Sequence, residues 1–315
     1  MLFFHILIFV ASSLLLAFSG NIVVDNLISL AKRLKWREFV VGFLIMAIAT
    51  SLPNLFVGVN AALRGIPELS FGDVVGGNVV DLTLVTSLAV LVSGGIIAES
   101  RMVQTSSLFT LLIAVLPLLL SLDGQLGRID GLVLILAFFL YAAWLFATED
   151  RFHKVYGGKE KKQGFGKSVF LLIASLVLLV IGSQGMVTSA LFFAEFLGMS
   201  IGLIGILIVG LGNCMPEIYF SIISAKKGQS WLILGDLMGS VINCATLVLG
   251  IVVLISPIII TDFSPYLMAR IFLVISAVFF LVFLRSGKKI TRKEAFFLLG
   301  IYIAFLLSEI FLRRG

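Results

Sequence analysis

The segment GDVVGGNVVD at residues 72–81 recurs as GDLMGSVINC at residues 235–244, which is 163 positions further along the chain. A second pair precedes it at the same offset, with ATSLPN at residues 49–54 and GNCMPE at residues 212–217. Proline, several glycines and an intramembrane aspartate align in one frame without gaps. Chance similarity between two leucine-rich helices does not readily produce such an alignment, so we infer an internal repeat.

The composition of the chain excludes several protein classes. Of 315 residues, 60% are hydrophobic and 13% are charged, with a mean hydropathy of +1.17. Soluble domains are about one-quarter charged and under half apolar, so a soluble single-core protein is excluded. A fold held together by disulfide bonds is excluded, because the chain has two cysteines. A disordered chain is excluded by the high apolar content. The excess apolar surface requires lipid as its solvent.

Apolar runs that are separated by charged residues or by glycine and proline predict an all-α polytopic membrane protein with ten transmembrane helices. At about 20 residues per span, the length leaves no room for a sizeable soluble domain. We expect two five-helix repeats at residues 1–148 and 168–315, joined by a cytoplasmic linker at 149–167. The predicted spans are 3–31, 39–63, 70–96, 104–121, 130–148, 168–194, 202–225, 231–256, 266–284 and 294–311.

The basic residues predict the orientation of these spans. Ten spans place 18 of the 23 Lys and Arg residues in loops on one side. Cytoplasmic loops carry the excess of Lys and Arg, so this side is the cytoplasm and both termini are extracellular. We expect the plasma membrane as the location. The net charge of +6 is therefore a topology signal, and no nucleic-acid partner is expected.

Five spans per half is an odd number, so the second half enters the membrane from the opposite side. Transporters use such inverted repeats for alternating access, with the binding site near the midplane at the repeat interface. Channels can also contain inverted repeats, so this pattern alone does not settle the type of transport.

The polar residues of both repeats suit an ion site. A mid-helix proline frees the carbonyl four residues earlier, and Pro53 and Pro216 interrupt their spans in this way. Side-chain oxygens lie beside these breaks, and Asp73, Gly77 and Asp81 share one helix face at i, i+4 and i+8. Oxygen ligands of this kind suit hard cations such as Ca²⁺ and Na⁺. The oxygen-bearing residues beside the breaks are Thr50, Ser51, Asn54, Asn213 and Glu217.

Four acidic residues lie in this region: Asp73, Asp81, Glu217 and Asp236. They cannot all remain ionised in an empty cavity of low dielectric constant, so at least one is expected to hold a proton there. Two alternatives remain open for Asp73 and Asp236. They could line a vestibule outside the first ligand shell, or serve as helix N-caps, because each follows a glycine.

At these residues the chain resembles the calcium/cation antiporter superfamily, in particular its prokaryotic sodium/calcium exchangers. That family has ten helices in two inverted repeats with motifs of the type G-T-S-L-P-E and G-N-x-x-G-S-N. The resemblance implies that Thr50, Ser51, Glu217 and Ser240 line the ion sites, with Asp81 at a usual site asparagine. It also implies ligand carbonyls near Ala47 and Gly210. The remaining amides of the motif region, Asn78 and Asn243, complete the candidate set.

The departures from the family motifs affect ion selectivity. Asn54 replaces the glutamate of the first repeat, and Cys244 replaces an aspartate of the eighth span. Asp81 restores one charge, which makes Glu217 and Asp81 the expected central pair. The resemblance implies an antiporter that exchanges Na⁺ for Ca²⁺ by alternating access, as the first and sixth spans slide against the rest.

Two alternatives to this function are compatible with the sequence. The first is an antiporter of the same fold that uses H⁺ or another cation, which the extra acids motivate. The second is a non-transporting membrane protein on a decayed exchanger scaffold, which the missing glutamate motivates. An enzyme is not expected, because no Ser/His/Asp set, zinc motif or P-loop occurs. The expected partners are inorganic cations and the lipid bilayer, without a cofactor, and the sequence does not predict an oligomeric state.

Overall fold

The structure is a computed structural model that describes residues 1–33, 47–149, 165–260 and 266–311. Within these ranges the chain is almost entirely helical. The α-helices are α1 (Leu2–Arg33), α2 (Ala47–Thr50), α3 (Leu52–Leu63), α4 (Glu68–Val80), α5 (Thr86–Ser93), α6 (Arg101–Leu120), α7 (Arg128–Glu149), α8 (Phe165–Leu197), α9 (Ile201–Ile204), α10 (Gly210–Asn213), α11 (Met215–Lys226), α12 (Ser230–Asn243), α13 (Leu249–Ile255), α14 (Leu267–Ser286) and α15 (Arg292–Phe311).

Eight helical stretches in the described part of the chain are long and apolar enough to cross a membrane. They are Leu2–Val23, Glu68–Ser93, Arg101–Asp123, Arg128–Ala147, Phe170–Leu197, Ile201–Lys226, Ser230–Ile255 and Leu267–Ser286. Large apolar side chains on their outer faces, such as Phe139 and Phe170, are exposed, as expected where lipid is the solvent. The chain is thus an integral membrane protein.

Two of the ten expected spans are not among these eight. The span expected at 39–63 begins outside the described residues and continues as the shorter apolar helix α3. The span expected at 294–311 is helix α15, which begins with the charged residues Arg292, Lys293 and Glu294. Most of the expected linker at 149–167 also lies outside the described residues.

Two helices form the centre of the molecule. Every residue of α4 after Glu68 is buried, as is every residue of α12 from Leu232 onward. Helix α4 packs against the stretch formed by α9, the π-helical turn Gly205–Val209 and α10, while α12 packs against α2 and α11. The close contact of α4 depends on glycine, because a Cβ at Gly72 or Gly76 would overlap the facing carbonyl oxygens of Gly202 and Ile206.

Three π-helical turns interrupt the helices at this centre: Asp81–Val85, Gly205–Val209 and Cys244–Val248. Such turns hold one extra residue and are frequent at functional sites. Side-chain hydroxyls donate hydrogen bonds to backbone carbonyls at these turns. Thr86 Oγ1 donates to the carbonyl of Asp81 at 2.8 Å, and Thr246 Oγ1 donates to that of Ile242 at 2.5 Å. These turns are not predicted from the sequence.

Two short antiparallel sheets connect the loops between helices. Strand β1 (Ile96–Ile97) pairs with β4 (Lys289–Ile290), so that Ile96 faces Ile290. Strand β2 (Gln125–Leu126) pairs with β3 (Ile258–Ile259), so that Leu126 faces Ile258. Each sheet joins one loop of the first half of the chain to one loop of the second half.

Candidate functional site

The two proline-containing helix breaks lie at equivalent places in the two halves. Ser51 separates α2 from α3 with φ −80° and ψ −2°, and Cys214 separates α10 from α11 with φ −78° and ψ 3°. Pro53 and Pro216 occupy the first turn of the helix that follows each break. Because proline has no N–H, the carbonyls four residues earlier lose their usual donors. The predicted interruption of both helices is confirmed.

The four candidate acids lie inside the protein. Asp73 and Asp236 are fully buried, and Asp81 and Glu217 are no more than 2% exposed. The alternative that Asp73 and Asp236 are helix N-caps is wrong. Helix α4 starts after Pro67 and α12 starts after Gln229, so each aspartate lies well within its helix. Their position in the sequence after a glycine reflects close helix packing instead.

Asp73 receives hydrogen bonds from both broken helices. The side-chain Nδ2 of Asn213, at the end of α10, donates to Asp73 Oδ2 at 2.9 Å. The Nδ2 of Asn54, in the first turn of α3, donates to the same oxygen at 3.4 Å. A carboxylate on the central helix of the first half is thus bonded by an amide from each half of the chain.

The second half contains a related set of contacts. Thr50 Oγ1, at the end of α2, donates to Asp236 Oδ1 at 3.0 Å. Ser240 Oγ donates to Glu217 Oε1 at 3.2 Å and lies 3.5 Å from Ser51 Oγ. At an offset of 163 residues, Thr50 corresponds to Asn213 and Asp236 corresponds to Asp73. The same cross-half contact therefore occurs twice, once with a hydroxyl donor and once with an amide donor.

Cys214 is not among the candidate residues predicted from the sequence, but it lies at the polar centre. Its Sγ donates to the carbonyl of Gly77 at 3.5 Å, and it interacts with the Asp81 side chain. The signal that could have identified it is the repeat alignment, because Cys214 corresponds to Ser51. Cys214 and Cys244 are both buried free thiols.

The carbonyl of Ala47 is already occupied in this structure. It accepts from the Ser51 backbone N–H at 3.1 Å, from Ser51 Oγ at 2.7 Å and from Thr50 Oγ1 at 3.2 Å. The Gly210 carbonyl accepts from the Cys214 N–H at 3.2 Å. Ion binding at Ala47 would require the two hydroxyls to rotate away.

Several buried oxygen atoms at this centre have no hydrogen-bond partner. Such atoms are rare in proteins and each costs about 1–3 kcal/mol, so their concentration here requires an explanation. A dehydrated cation would satisfy them. They are Asn54 Oδ1, Asp73 Oδ1, Asp81 Oδ1, Asn213 Oδ1, Glu217 Oε2, Asp236 Oδ2 and Asn243 Oδ1. Asn78 is also buried there, with its Nδ2 atom unpartnered.

The ligand chemistry here is mainly oxygen. Within the described residues, no three His, Cys, Asp or Glu side chains come together as a metal-binding group. The four acids therefore do not form one carboxylate cage. Any ion would be held by one or two carboxylates together with amides, hydroxyls and carbonyls, which suits a hard cation that passes through rather than a resident transition metal.

A bundle of apolar helices around a buried, oxygen-lined centre defines an integral membrane protein whose interior offers the ligand atoms that hard cations prefer. The profile of the family described as "Sodium/calcium exchanger protein" matches residues 4–147 and 167–311. The chain belongs to this family, and the predicted membership of the calcium/cation antiporter superfamily is confirmed.

Similar proteins with known names or structures span nearly the whole chain. The sodium/calcium exchanger MaX1 of Methanosarcina acetivorans is 26% identical over 342 residues, covering 96% of this chain and 97% of MaX1. The inner membrane protein YrbG of Escherichia coli is 24% identical over 308 residues, covering 93% of each. The solved structure of the sodium-calcium exchanger NCX_Mj soaked with Na⁺ and Sr²⁺ is 26% identical with a TM-score of 0.70, covering 98% of this chain and 99% of NCX_Mj.

Proposed function

We propose that the protein is a secondary antiporter that exchanges Na⁺ for Ca²⁺ across the membrane. The observation that carries this proposal is the group of unpartnered buried oxygens between two broken helices. MaX1 and NCX_Mj are named sodium/calcium exchangers, which supports the choice of ions. Without a nucleotide-binding motif, the opposing gradient of one ion drives the other.

The architecture we propose consists of ten spans in two inverted five-helix repeats. The element boundaries support it, because they repeat at the same offset of 163 residues as the sequence. Helix α2 corresponds to α10, α3 corresponds to α11, and the π-helical turn Asp81–Val85 corresponds to Cys244–Val248. An odd number of spans per half then gives the two halves opposite orientations.

Glu217 and Asp81 form the centre of the proposed ion site. Glu217 Oε2 and Asp81 Oδ1 are both buried and unpartnered, and the two side chains interact electrostatically. Two ionised carboxylates balance one Ca²⁺ or two Na⁺, so occupancy by either ion relieves their repulsion. The other residues of the proposed site are Thr50, Ser51, Asn54, Asn213, Ser240, Ala47, Gly210, Asp73, Asp236, Asn78 and Asn243.

Alternating access requires part of the bundle to move past the site. Helix α1 packs along α8, and both contact the broken-helix region. Gly182 and Gly185 of α8 lie against Leu16 and Ser12 of α1, which keeps the two long helices close. We propose that α1 and α8 move as a pair and open the centre to either side in turn.

The experiment that tests this function is Ca²⁺ flux in proteoliposomes that contain the purified protein. A Na⁺ gradient alone should drive Ca²⁺ in the opposite direction, and Glu217→Gln should reduce this flux at least about tenfold, because it removes one of two central charges. Glu195→Gln makes the same substitution at an exposed residue near the end of α8 and should leave the flux unchanged.

The other outcomes distinguish the alternatives. Ca²⁺ flux driven by a pH gradient without Na⁺ would favour an H⁺-coupled antiporter. If no gradient moves Ca²⁺ and Glu217→Gln has no effect on any cation flux, the protein does not transport these ions, as expected of a decayed scaffold.

A further inference from the structure

Two buried amides share one acceptor at the centre of the molecule. Asn213 Nδ2 and Asn54 Nδ2 both donate to Asp73 Oδ2, at 2.9 and 3.4 Å. Asn213 and Asp73 are fully buried, and Asn54 is 3% exposed. The three side chains come from three different helices, α10, α3 and α4, so the arrangement is tertiary and not a local turn.

The shared acceptor fixes the orientation of both amides. A carboxamide has a donor end and an acceptor end, and an ionised carboxylate can only accept. Each amide must therefore turn its nitrogen toward Asp73, which leaves its oxygen on the other side. Both of these oxygens, Asn54 Oδ1 and Asn213 Oδ1, are buried without a hydrogen-bond partner, as is the second carboxylate oxygen, Asp73 Oδ1.

The equivalent region of the other half is built differently. Asp236 accepts from Thr50, whose single hydroxyl oxygen carries both the donor proton and the acceptor lone pairs. Glu217 occupies the position that corresponds to Asn54. Among the described residues, two amides donate hydrogen bonds to Asp73, whereas the donor to Asp236 is a hydroxyl.

We propose that Asp73 is a positioning residue of the cation site, which aims the amide oxygens of Asn54 and Asn213 at the transported ion. The proposal rests on the proposed function for the identity of the ion but not for the binding itself. With one carboxylate and two neutral oxygens, this side of the centre carries a single negative charge and suits a monovalent ion such as Na⁺. The part of the centre around Glu217 and Asp81 has two carboxylates, which suits a divalent ion.

The test is a double-mutant cycle on cation binding by the full-length purified protein. Binding is measured as the Na⁺-dependent rise in unfolding temperature in detergent, so it does not require transport. Asp73→Asn should weaken apparent Na⁺ affinity about tenfold, because an amide at residue 73 no longer dictates which end of its neighbours faces away. In a background with Asn54→Ala and Asn213→Ala, the same substitution should change affinity less than about twofold.

A matched control separates orientation from charge. Asp236→Asn removes the equivalent charge in the other half, where no amide needs orienting. Its effect on Na⁺ affinity should be the same with and without the two alanine substitutions. If Asp73→Asn also gives equal losses in both backgrounds, Asp73 acts as a direct ligand or through its charge, and the proposal is overturned.

A second background keeps the test decisive if the alanine variants do not fold. Asn54→Ser and Asn213→Thr retain an oxygen at each position, and a hydroxyl needs no partner to orient it. Asp73→Asn in that background should again cost less than about twofold, and a tenfold loss there would overturn the proposal. If the wild-type protein binds Na⁺ with this coupling but exchanges no Ca²⁺, the proposed function fails and the positioning role stands.

Discussion

At the scale of single residues, Asn54 sets the charge of the polar centre. The corresponding residue of the second half is Glu217, so the centre has four acids, and full symmetry at that position would add a fifth beside Asp73. As an amide, Asn54 instead donates a hydrogen bond to the Asp73 carboxyl group, which partly offsets the cost of burying that group.

Asn54→Glu is expected to make the protein dependent on divalent cations for stability. The substitution removes a donor and places two carboxylates side by side, which should lower the stability of the ion-free protein by about 1–3 kcal/mol. Added Ca²⁺ should then raise the unfolding temperature more than it does for the wild type. Asn54→Gln retains a neutral donor and serves as the control, and equal Ca²⁺ responses of the two variants would contradict the prediction.

At the scale of helices, the sequence predicted the interruptions better than the irregular turns. Pro53 and Pro216 signal their breaks because proline lacks a donor. The π-helical turn at Asp81–Val85 has no such signal, because it contains neither proline nor glycine. The partners of Asp73 could not be predicted either, since hydrogen bonds between α4, α3 and α10 depend on how these helices pack.

Gly76→Ala should disrupt the contact between α4 and the turn Gly205–Val209. A Cβ at residue 76 would overlap the backbone carbonyl of Ile206, and backbone cannot move aside as a flexible side chain can. We expect a loss of about 1–3 kcal/mol or failure to fold, measured by thermal unfolding in detergent.

Gly300→Ala is the matched control for this substitution. It lies in helix α15, where an added Cβ meets no atom within 4 Å. Because alanine favours helix over glycine, Gly300→Ala should leave stability unchanged or raise it by up to about 1 kcal/mol. Similar losses for both glycines would show that close approach at Gly76 is not the cause.

At the scale of the whole molecule, the 163-residue repeat predicted the arrangement of the helices, and the basic loops predicted their orientation in the membrane. The repeat placed the helix breaks, both central helices and the pair Asp73 and Asp236 in register. The orientation in the membrane remains a prediction from 18 Lys and Arg residues on one side, several of which lie outside the described residues.

Cysteine labelling can test this orientation. Ser200, before α9, and Glu99, before α6, are both exposed, whereas the native thiols Cys214 and Cys244 are buried and should give little background. A membrane-impermeant maleimide added to intact cells should label Ser200→Cys directly and Glu99→Cys only after permeabilisation. The reverse pattern would contradict the proposed topology.

The two small sheets bear on how such a chain could have arisen. Each sheet takes one strand from either half, with β1 paired to β4 and β2 paired to β3. Neither half of the chain on its own therefore contains both strands of either sheet. Two separate half-length chains could form both sheets only by associating with each other. In this chain the covalent connection between the halves keeps the two strands of each sheet in one polypeptide.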